Sequence, residues 1–491
     1  MVLLLAGVSG PAALAGPSYR INGIDAPQVM GDPLPARLQE QLRTLREQIK
    51  SRSRLTTLEQ AMEAGLLNNP DLARNYALIQ GEQWNLIAVR RQWYPNLTSN
   101  SEELPAQTFS SASESGGSSS NTTTYKNAFR KGINLRLSWT FFNPSRGPNI
   151  NAASESLNRQ KLLFNVSARQ LVLDIQRAYF NLQEQILLVQ AYEEILASTT
   201  RQMDTTEAQF NSGLVSIADV EQIRTQQLST LTTLINTYQQ LIEAASRLSE
   251  SMAMPPGTLV HPSSELTPLG RWNEPLQDTI NQALALREEI QASLAAAASA
   301  NWSATALFNN YWPRFAFNTF GRYADQIATD GFSGAPVTRT RRQLNWDGGV
   351  GIGFSWDLFD GGIAAAQAEQ QRATARAEKD RAEQQRLQVT REVEVSYANY
   401  LTSLLAREST QAQARSARAA AVAVQERFAV GVTDMASVVQ TLNEAIRAAN
   451  AYASAVRNYN TAVAALYRNS ARWPAGSQAL LRQRSEQLKK R

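Results

Sequence analysis

The chain has 491 residues with 48 basic and 43 acidic side chains, one histidine and no cysteine. The net charge of +5 is spread along the chain, so no nucleic-acid partner is expected. The absence of cysteine excludes disulfides, thiolate metal sites and cysteine nucleophiles, and the one histidine, His261, is expected in an exposed turn. The sequence therefore predicts no enzymatic activity, no cofactor and no metal site.

Residues 1–15 have the features of a signal peptide, with an apolar core and Ala13-Leu14-Ala15 as a cleavage motif. The basic region that normally precedes the core is missing, so the true start is expected further upstream. The alternative is an alanine- and glycine-rich leader with no targeting role. Residues 16–56 form an extension that is first rich in proline and then helical. No later stretch reaches the roughly 18 apolar residues of a transmembrane helix.

Two segments of the chain share one plan. "WYPNL" at 93–97 recurs as "YWPRF" at 311–315, "LSWTFFNP" at 137–144 as "FSWDLFDG" at 354–361, and "AQFNSGLVSIADV" at 208–220 as "ERFAVGVTDMASV" at 426–438. The members of each pair lie about 217 to 218 residues apart, which indicates two tandem repeats. We place the repeats at 57–252 and 275–470, with a linker at 253–274 and a solvated, disordered tail at 471–491.

Each repeat is predicted to begin with a helix, at about 57–92 and 275–310. Pro95 and Pro313 follow these helices, and proline disfavours helix in the residue before it, so the chain leaves in extended form. Two strands come next, at about 93–142 and about 311–360. The polar loop within the first pair, 110–124, has almost nothing to bury and is expected to be mobile and exposed.

The strands alternate between apolar and polar or glycine residues over about ten positions. This pattern is typical of a membrane β-barrel with lipid outside and water inside, and the alternative is a strand of a soluble sandwich. Four strands cannot close a barrel around water, so they combine with strands of other subunits or form a small soluble sheet. The positions predicted to face lipid are Leu135, Leu137, Trp139, Phe315, Phe317, Ile352, Phe354 and Trp356.

Long helices follow the strands, at about 150–210 and 364–428, with apolar residues at steps of three and four as in a coiled coil. Tips at about 210–220 and 428–438 lead into return helices, about 214–252 and 433–470, which gives antiparallel hairpins. Gly213 and Gly431 supply the backbone freedom of the tips.

Almost no loop separates the last strand of each repeat from its long helix. Asp360 is expected to cap the second long helix, while Gly361 and Gly362 absorb the change of twist. Pro144, after Asn143, takes the corresponding place in the first repeat. A barrel wall that continues as a helical wall requires such a junction.

These features together resemble the TolC-type outer-membrane efflux proteins over about residues 57–470. The most specific matches are "QFNSGLVSIADVEQIRTQQ" at 209–227 and "SWDLFDGG" at 355–362. The lack of a lipid-bearing cysteine makes the chain more similar to the TolC branch than to the lipidated outlets. The resemblance implies an α+β membrane protein: a homotrimer with a 12-stranded outer-membrane β-barrel, four strands per subunit, continued by a periplasmic α-helical coiled-coil tunnel.

The resemblance also implies the partners of such a channel. These are a periplasmic adaptor (a membrane fusion protein), an inner-membrane pump of the RND or ABC type, and outer-membrane lipid, in a Gram-negative-type bacterium. The implied function is the exit duct of a tripartite efflux or type I secretion system, and the sequence does not choose between the two.

The resemblance assigns two functions to the hairpin tips. Adaptor docking is implied for Gly213, Leu214, Val215, Ser216, Gly431, Val432 and Thr433. An entrance gate is implied for Asp219, Phe428, Thr433, Asp434, Ser437 and Gln440. The chain departs from the family pattern here, because Thr433 stands at an expected arginine and Ser437 and Gln440 stand at two expected aspartates. Asp219 is then either a hydrogen-bond partner of Thr433 or an ordinary acid at a helix start.

The main alternative function is that of a periplasmic coiled-coil adaptor or scaffold, whose few strands form a soluble sheet and which is not itself a channel. The aromatic and aliphatic residues on one strand face, opposite glycine, count against it.

Overall fold

The computed structural model describes residues 20–21, 24–25, 34–116, 120–332, 339–474 and 476–489. The predicted signal peptide, 1–15, lies outside the described residues. The helices are α1 (Leu34–Arg52), α2 (Leu58–Asn68), α3 (Pro70–Arg91), α4 (Arg146–Asn211), α5 (Ile217–Ser251), α6 (Leu276–Leu286), α7 (Glu288–Phe308), α8 (Ile363–Ala429), α9 (Met435–Asn469) and α10 (Ser477–Lys489). The strands are β1 (Arg20–Ile21), β2 (Ile24–Asp25), β3 (Ser53–Thr56), β4 (Asn96–Gly116), β5 (Ser120–Phe142), β6 (Leu259–Pro262), β7 (Arg314–Phe332) and β8 (Arg339–Ser355).

The structure divides into two compact units. One comprises the residues up to Arg74, Val166–Arg287 and the residues from Gln388 onward, and it contains both helical hairpins. The other comprises Asn75–Asn165 and Glu288–Leu387, and it contains the large sheet. In the part of the chain that the structure describes, no helix is both long enough and apolar enough to cross a membrane.

The first helix of each repeat is broken in two, which corrects the prediction of continuous helices at 57–92 and 275–310. Asn69 has ψ 126° because Pro70 disfavours helix before it, and the Asn69 side chain accepts a hydrogen bond from the backbone N–H of Asp71 at 2.9 Å. Arg287 makes the second break with ψ 116°, and its guanidinium lies 2.9 Å from Glu392 Oε2. The break at Pro70 could have been predicted, whereas the break at Arg287 depends on a tertiary contact.

The large sheet is antiparallel and has the order β4-β5-β7-β8. The predicted mobile loop at 110–124 is wrong for most of its length, because β4 runs to Gly116 and β5 starts at Ser120. A ladder of backbone hydrogen bonds needs no apolar side chains, so polar composition did not prevent pairing here. Residues 117–119 lie outside the described residues.

The register sorts the side chains onto two faces. The apolar face carries Ile133, Leu135, Leu137 and Trp139 of β5, Phe315, Phe317 and Tyr323 of β7, and Leu344, Trp346, Val350, Ile352 and Phe354 of β8. Three of the four glycines of β8, Gly349, Gly351 and Gly353, lie on the opposite, polar face. A side chain at Gly349 would come within 3.0 Å of the Phe320 ring, and one at Gly353 would meet the Asn318 amide at 3.0 Å. These glycines therefore make room for cross-strand neighbours.

Strand β8 ends at Ser355, earlier than predicted. Trp356 therefore lies beyond the strand and does not continue its alternation, which corrects its assignment to the strand face. Trp356 instead donates its indole N–H to the carbonyl of Tyr311 at 2.8 Å.

The regions outside the two repeats are more ordered than predicted. Strand β3 of the extension pairs in parallel with β6 of the linker, which places His261 in a strand rather than in an exposed turn. The tail forms α10, with Leu481 and Leu488 buried, so it is not a disordered end. Because α10 packs against α2, the tail belongs to the packing of the same unit as the start of the first repeat.

Candidate functional site

The two hairpin tips have the same backbone geometry. Gly213 has φ 76° and Gly431 has φ 75°, a left-handed conformation that glycine adopts without steric strain. The N–H of Leu214 donates to the carbonyl of Gln209, and the N–H of Val432 donates to that of Arg427, both at 2.9 Å. Together with the bonds of the two glycine N–H groups, these define a Schellman motif at the end of each long helix.

The return helices are capped by a serine–aspartate pair whose order is reversed between the repeats. In the first tip Ser216 is the N-cap, and the Asp219 carboxylate accepts from the Ser216 N–H at 2.9 Å and from its hydroxyl at 2.6 Å. In the second tip Asp434 is the N-cap and accepts from the Ser437 N–H at 2.9 Å. Hydrogen bonds from the Ser437 hydroxyl and N–H lower the pKa of Asp434. Ser216, Asp219 and Asp434 therefore stabilise helix starts.

A hydrophobic cluster lies beneath the tips and joins the two hairpins. Its buried members are Met203, Val220, Ile223, Phe428, Met435, Val438 and Leu442. Phe428 is 4% exposed within this cluster, so its side chain packs in the core of the hairpin pair, and its part in a gate stays a prediction. Val215 is partly buried against the same cluster, which leaves less of it available for a partner.

The outermost apolar side chains of the tips remain exposed. Leu214 is 75% exposed and Val432 is 62% exposed, as expected of residues that a partner would cover. Val430 is 74% exposed beside them and was missed by sequence reasoning, although an isolated valine next to Gly431 was the available signal. Adaptor docking on these side chains stays a prediction.

Four of the six predicted gate residues, Thr433, Asp434, Ser437 and Gln440, lie at the second tip and in the first turns of α9. Thr433 and Ser437 are half-buried, and Asp434 and Gln440 are exposed. The Asp219 carboxylate bonds to Ser216, as expected of an acid at a helix start, and a bond to Thr433 is absent from the contacts of the described residues. A gate at this level stays a prediction.

The apolar face of the sheet is exposed in the single chain. Val350, Ile352 and Phe354 are 77%, 72% and 63% exposed, and Trp139 and Leu135 are also exposed. Beyond Tyr323 and Leu344, the apolar residues of this face give way to an ion cluster around the buried Asp325. The Asp325 carboxylate accepts two hydrogen bonds from Arg342, at 3.0 and 2.9 Å, and lies 3.3 Å from Lys131 Nζ. The cluster ends an apolar stretch of β8 that runs from 344 to 354.

The junction after β8 has the predicted cap. The Asp360 carboxylate accepts from the N–H groups of Gly362 and Ala364, both at 2.8 Å, and from the Tyr311 hydroxyl at 2.9 Å. The bond from Ala364 is the chief reason that the pKa of Asp360 is lowered. Gly361 and Gly362 have φ 70° and 81°, so both need the freedom of glycine.

The junction after β5 also leads from a strand directly into a long helix, but no glycine lies between the two. The Asn143 side chain accepts from the Ser145 N–H at 3.1 Å across Pro144, and the Arg146 guanidinium lies 4.3 Å above the Trp93 ring. Trp139 donates its indole N–H to the Trp93 carbonyl at 2.8 Å, as Trp356 does to Tyr311. Pro95 and Pro313 stand immediately before β4 and β7.

Comparison with known proteins decides the family. Residues 65–253 and 279–471 match the family described as outer membrane efflux protein. The chain belongs to this family. The two matched segments correspond to the two repeats, and the match supports an outer-membrane efflux protein rather than a periplasmic scaffold.

The chain is distant in sequence from the individual outer membrane proteins that it resembles. The chain is 22% identical over 351 residues to outer membrane protein TolC of Escherichia coli K12, which covers 68% of this chain and 70% of that protein. The fold is similar to that of the CmeC outer membrane channel of Campylobacter jejuni, with TM-score 0.68, 14% identity and coverage of 87% and 89%. It is also similar to that of VceC of Vibrio cholerae, with TM-score 0.65, 16% identity and coverage of 84% and 95%.

Proposed function

We propose that this outer membrane efflux protein is the exit duct of a tripartite efflux or type I secretion system. Three subunits contribute four strands each to a 12-stranded barrel, and their hairpins build a periplasmic tunnel. Substrates enter from an inner-membrane pump of the RND or ABC type and a periplasmic adaptor, and leave to the exterior unchanged.

The observation that carries this proposal is the exposed apolar face of a sheet with two open edges. Strands β4 and β8 each pair on one side only among the described strands. Open edges and an apolar face are unstable in water, and both are satisfied when the sheet closes with other copies and its apolar face contacts lipid. The polar face is then directed inward.

The hairpin tips are proposed to receive the adaptor. Leu214, Val430 and Val432 present apolar surface on a rigid base, because the Schellman motifs and the buried cluster fix the backbone around them. Docking on these side chains excludes water from them, which supplies the driving force.

Fractionation and conductance test this function. We expect the full-length protein in the detergent-soluble outer-membrane fraction, and ion-conducting pores when the purified protein is added to planar lipid bilayers. Recovery in the soluble periplasmic fraction, with no pores, would support the scaffold interpretation instead.

A further inference from the structure

The polar face of the large sheet is strongly basic. Residues that pair across β5, β7 and β8 share a face, and this face includes seven basic and two acidic residues, a net charge of +5 per subunit. The basic residues are Lys126, Arg130, Arg136, Arg314, Arg322, Arg339 and Arg341, and the acidic ones are Asp330 and Asp347. Strand β4 adds two acidic residues to this face, because Glu103 pairs with Gly132 and Glu114 with Thr122, so the face of all four strands has a net charge of +3.

Several of these charges have no acidic partner. Arg341 pairs with Asp330 at 3.3 Å, and Arg314 with Asp357 at 2.9 Å. In contrast, Arg130 stands opposite Gln326 and Arg136 opposite Phe320, and neither pairs with a carboxylate among the described residues. Both arginines are exposed. Among the described side chains, these two positive charges of β5 are therefore not neutralised by an ion pair.

Arg130 borders a hollow in this face. The hollow has a volume of ≈ 200 Å³, and Arg130, Asn134, Arg322, Gln326 and Asn345 are among the residues that line it. It surrounds the cross-strand pair of Gly132 and Ala324, where a side chain at the glycine would come within 3.1 Å of a backbone oxygen. The small residues keep the space open.

The hollow is rich in groups that bind anions. Two guanidinium groups and three carboxamides line it from the polar face, and arginine is suited to carboxylate and phosphate because it offers paired donors. Lys131 and Asp325 also border the hollow, but they belong to the apolar face, where their charged groups pair at 3.3 Å. The Asn134 side-chain oxygen is buried without a hydrogen-bond partner in the described structure. Because the two ends of an amide are interchangeable by rotation, this side chain can offer its NH2 group to an incoming oxyanion.

We propose that the polar face is an anion pathway, and that this channel passes substrates that carry carboxylate or phosphate groups. The inference rests on the proposed function, in which this face lines the barrel. With Glu103 and Glu114 of β4 counted, three copies would carry a net charge of +9 on this face, and rings of basic side chains attract anions and repel cations. The hollow beside Arg130 is the subsite where an acidic group is held in passage.

Two adjacent basic residues provide a matched pair of variants. Arg130 lies on the polar face, and Lys131 lies on the apolar face beside Asp325. Arg130→Gln and Lys131→Gln therefore remove the same charge from opposite sides of one strand. Asp325 keeps its two hydrogen bonds from Arg342 in the second variant.

The permeability ratio of chloride to potassium in planar bilayers tests the proposal. We expect a ratio above one near ~0.1 M KCl, where charges act over about 10 Å, and a ratio close to one at ~1 M, where they act over about 3 Å. Arg130→Gln should lower the ratio, and Arg136→Gln should do the same as a second variant of this face. Lys131→Gln should leave the ratio unchanged.

A polyanion gives a second readout. Inositol hexakisphosphate, added on the barrel side, should reduce the current through the unmodified channel and through Lys131→Gln, and should reduce it less in Arg130→Gln. Cation-selective pores, or equal effects of the two variants, would overturn the anion pathway while leaving the channel function intact. Failure to form any pore would overturn the proposed function itself.

Discussion

At the scale of single residues, glycine ends the two long helices and alanine ends the two return helices in the same backbone conformation. Ala253 has φ 53° and Ala471 has φ 61°, and each forms the same pair of hydrogen bonds as the tip glycines. The left-handed conformation costs a residue with a Cβ atom roughly 1–2 kcal/mol, which glycine avoids. The C-terminal ends of the return helices are therefore strained at alanine, whereas the tips, with glycine, are not.

Exchanging alanine and glycine should change stability in opposite directions. Ala471→Gly is expected to stabilise by roughly 0.5–1 kcal/mol, because relief of strain exceeds the entropy cost of glycine in the unfolded chain. Gly431→Ala is expected to destabilise by about 1–2 kcal/mol through strain alone, since nothing lies within 4 Å of its added Cβ. Thermal unfolding followed by circular dichroism should show a higher midpoint for the first and a lower one for the second. Shifts in the same direction would refute the strain argument.

The cap at Asp434 predicts a specific pH dependence. The pKa of Asp434 is lowered in the folded chain, so its carboxylate stabilises the start of α9 above the unfolded pKa of about 3.9. This stabilisation is lost as the pH falls through the lower, folded pKa. Hydrogen exchange of the backbone amides of residues 435–438 measures this stabilisation. At pH ~6, Asp434→Asn should reduce the protection of these amides relative to the unmodified chain, whereas at pH ~2 the two proteins should be equally protected. A difference that persists at low pH would exclude the charged cap.

At the scale of elements, the sequence predicts what local chemistry determines. The repeat spacing located both hairpins and all four strands of the large sheet, and the junction cap at Asp360 followed from its residue type. The extension of β4 and β5 through a polar segment was missed because cross-strand pairing overrides composition. Helix α10 was not predicted, because its burial depends on a tertiary contact with α2. The basic, polar sequence of the segment gives no sign of that contact.

The structure shows how far the residues of the candidate sites are exposed, and their roles stay predictions. Leu214 and Val432 belong to the tip motifs, and their exposure is compatible with docking. Phe428, which the resemblance places at the gate, packs its side chain inward against the other hairpin. A linear motif gives the position of a residue and does not give the direction of its side chain.

The two faces of β8 should tolerate charge differently. Val350 lies near the middle of the apolar stretch, so Val350→Arg is expected to cost about 2–4 kcal/mol in the bilayer and to reduce the yield of assembled protein in the outer membrane. Asn345→Arg, an exposed change on the polar face of the same strand, is the matched control and should leave the yield unchanged. Equal losses from both variants would show that the faces are wrongly assigned.

At the scale of the whole molecule, the gate of the proposed trimer lacks two carboxylates per subunit. Ser437 and Gln440 stand at the positions of the expected acidic pair, and Asp434, nearby, is engaged as a helix cap. Rings of carboxylates favour cations, so the unmodified channel should be blocked little by trivalent cations from the periplasmic side.

Restoring both acids should create that block. Ser437→Asp with Gln440→Asp places six carboxylates in a trimer, and an acid near the start of α9 is compatible with the helix dipole. Planar-bilayer currents with a trivalent cation on the tip side should fall in the double variant only. Strong block of the unmodified channel, abolished by Asp434→Asn, would show instead that Asp434 already forms an acidic ring.

The central claim is that the sheet of one chain is a third of a barrel, and native mass spectrometry in mild detergent tests it most directly. Four strands leave open edges at β4 and β8, which only other copies can pair. The protein extracted from the outer membrane is predicted to appear as a single species with the mass of three chains, and to resist dissociation on dilution. A homogeneous monomer under the same conditions would contradict the account.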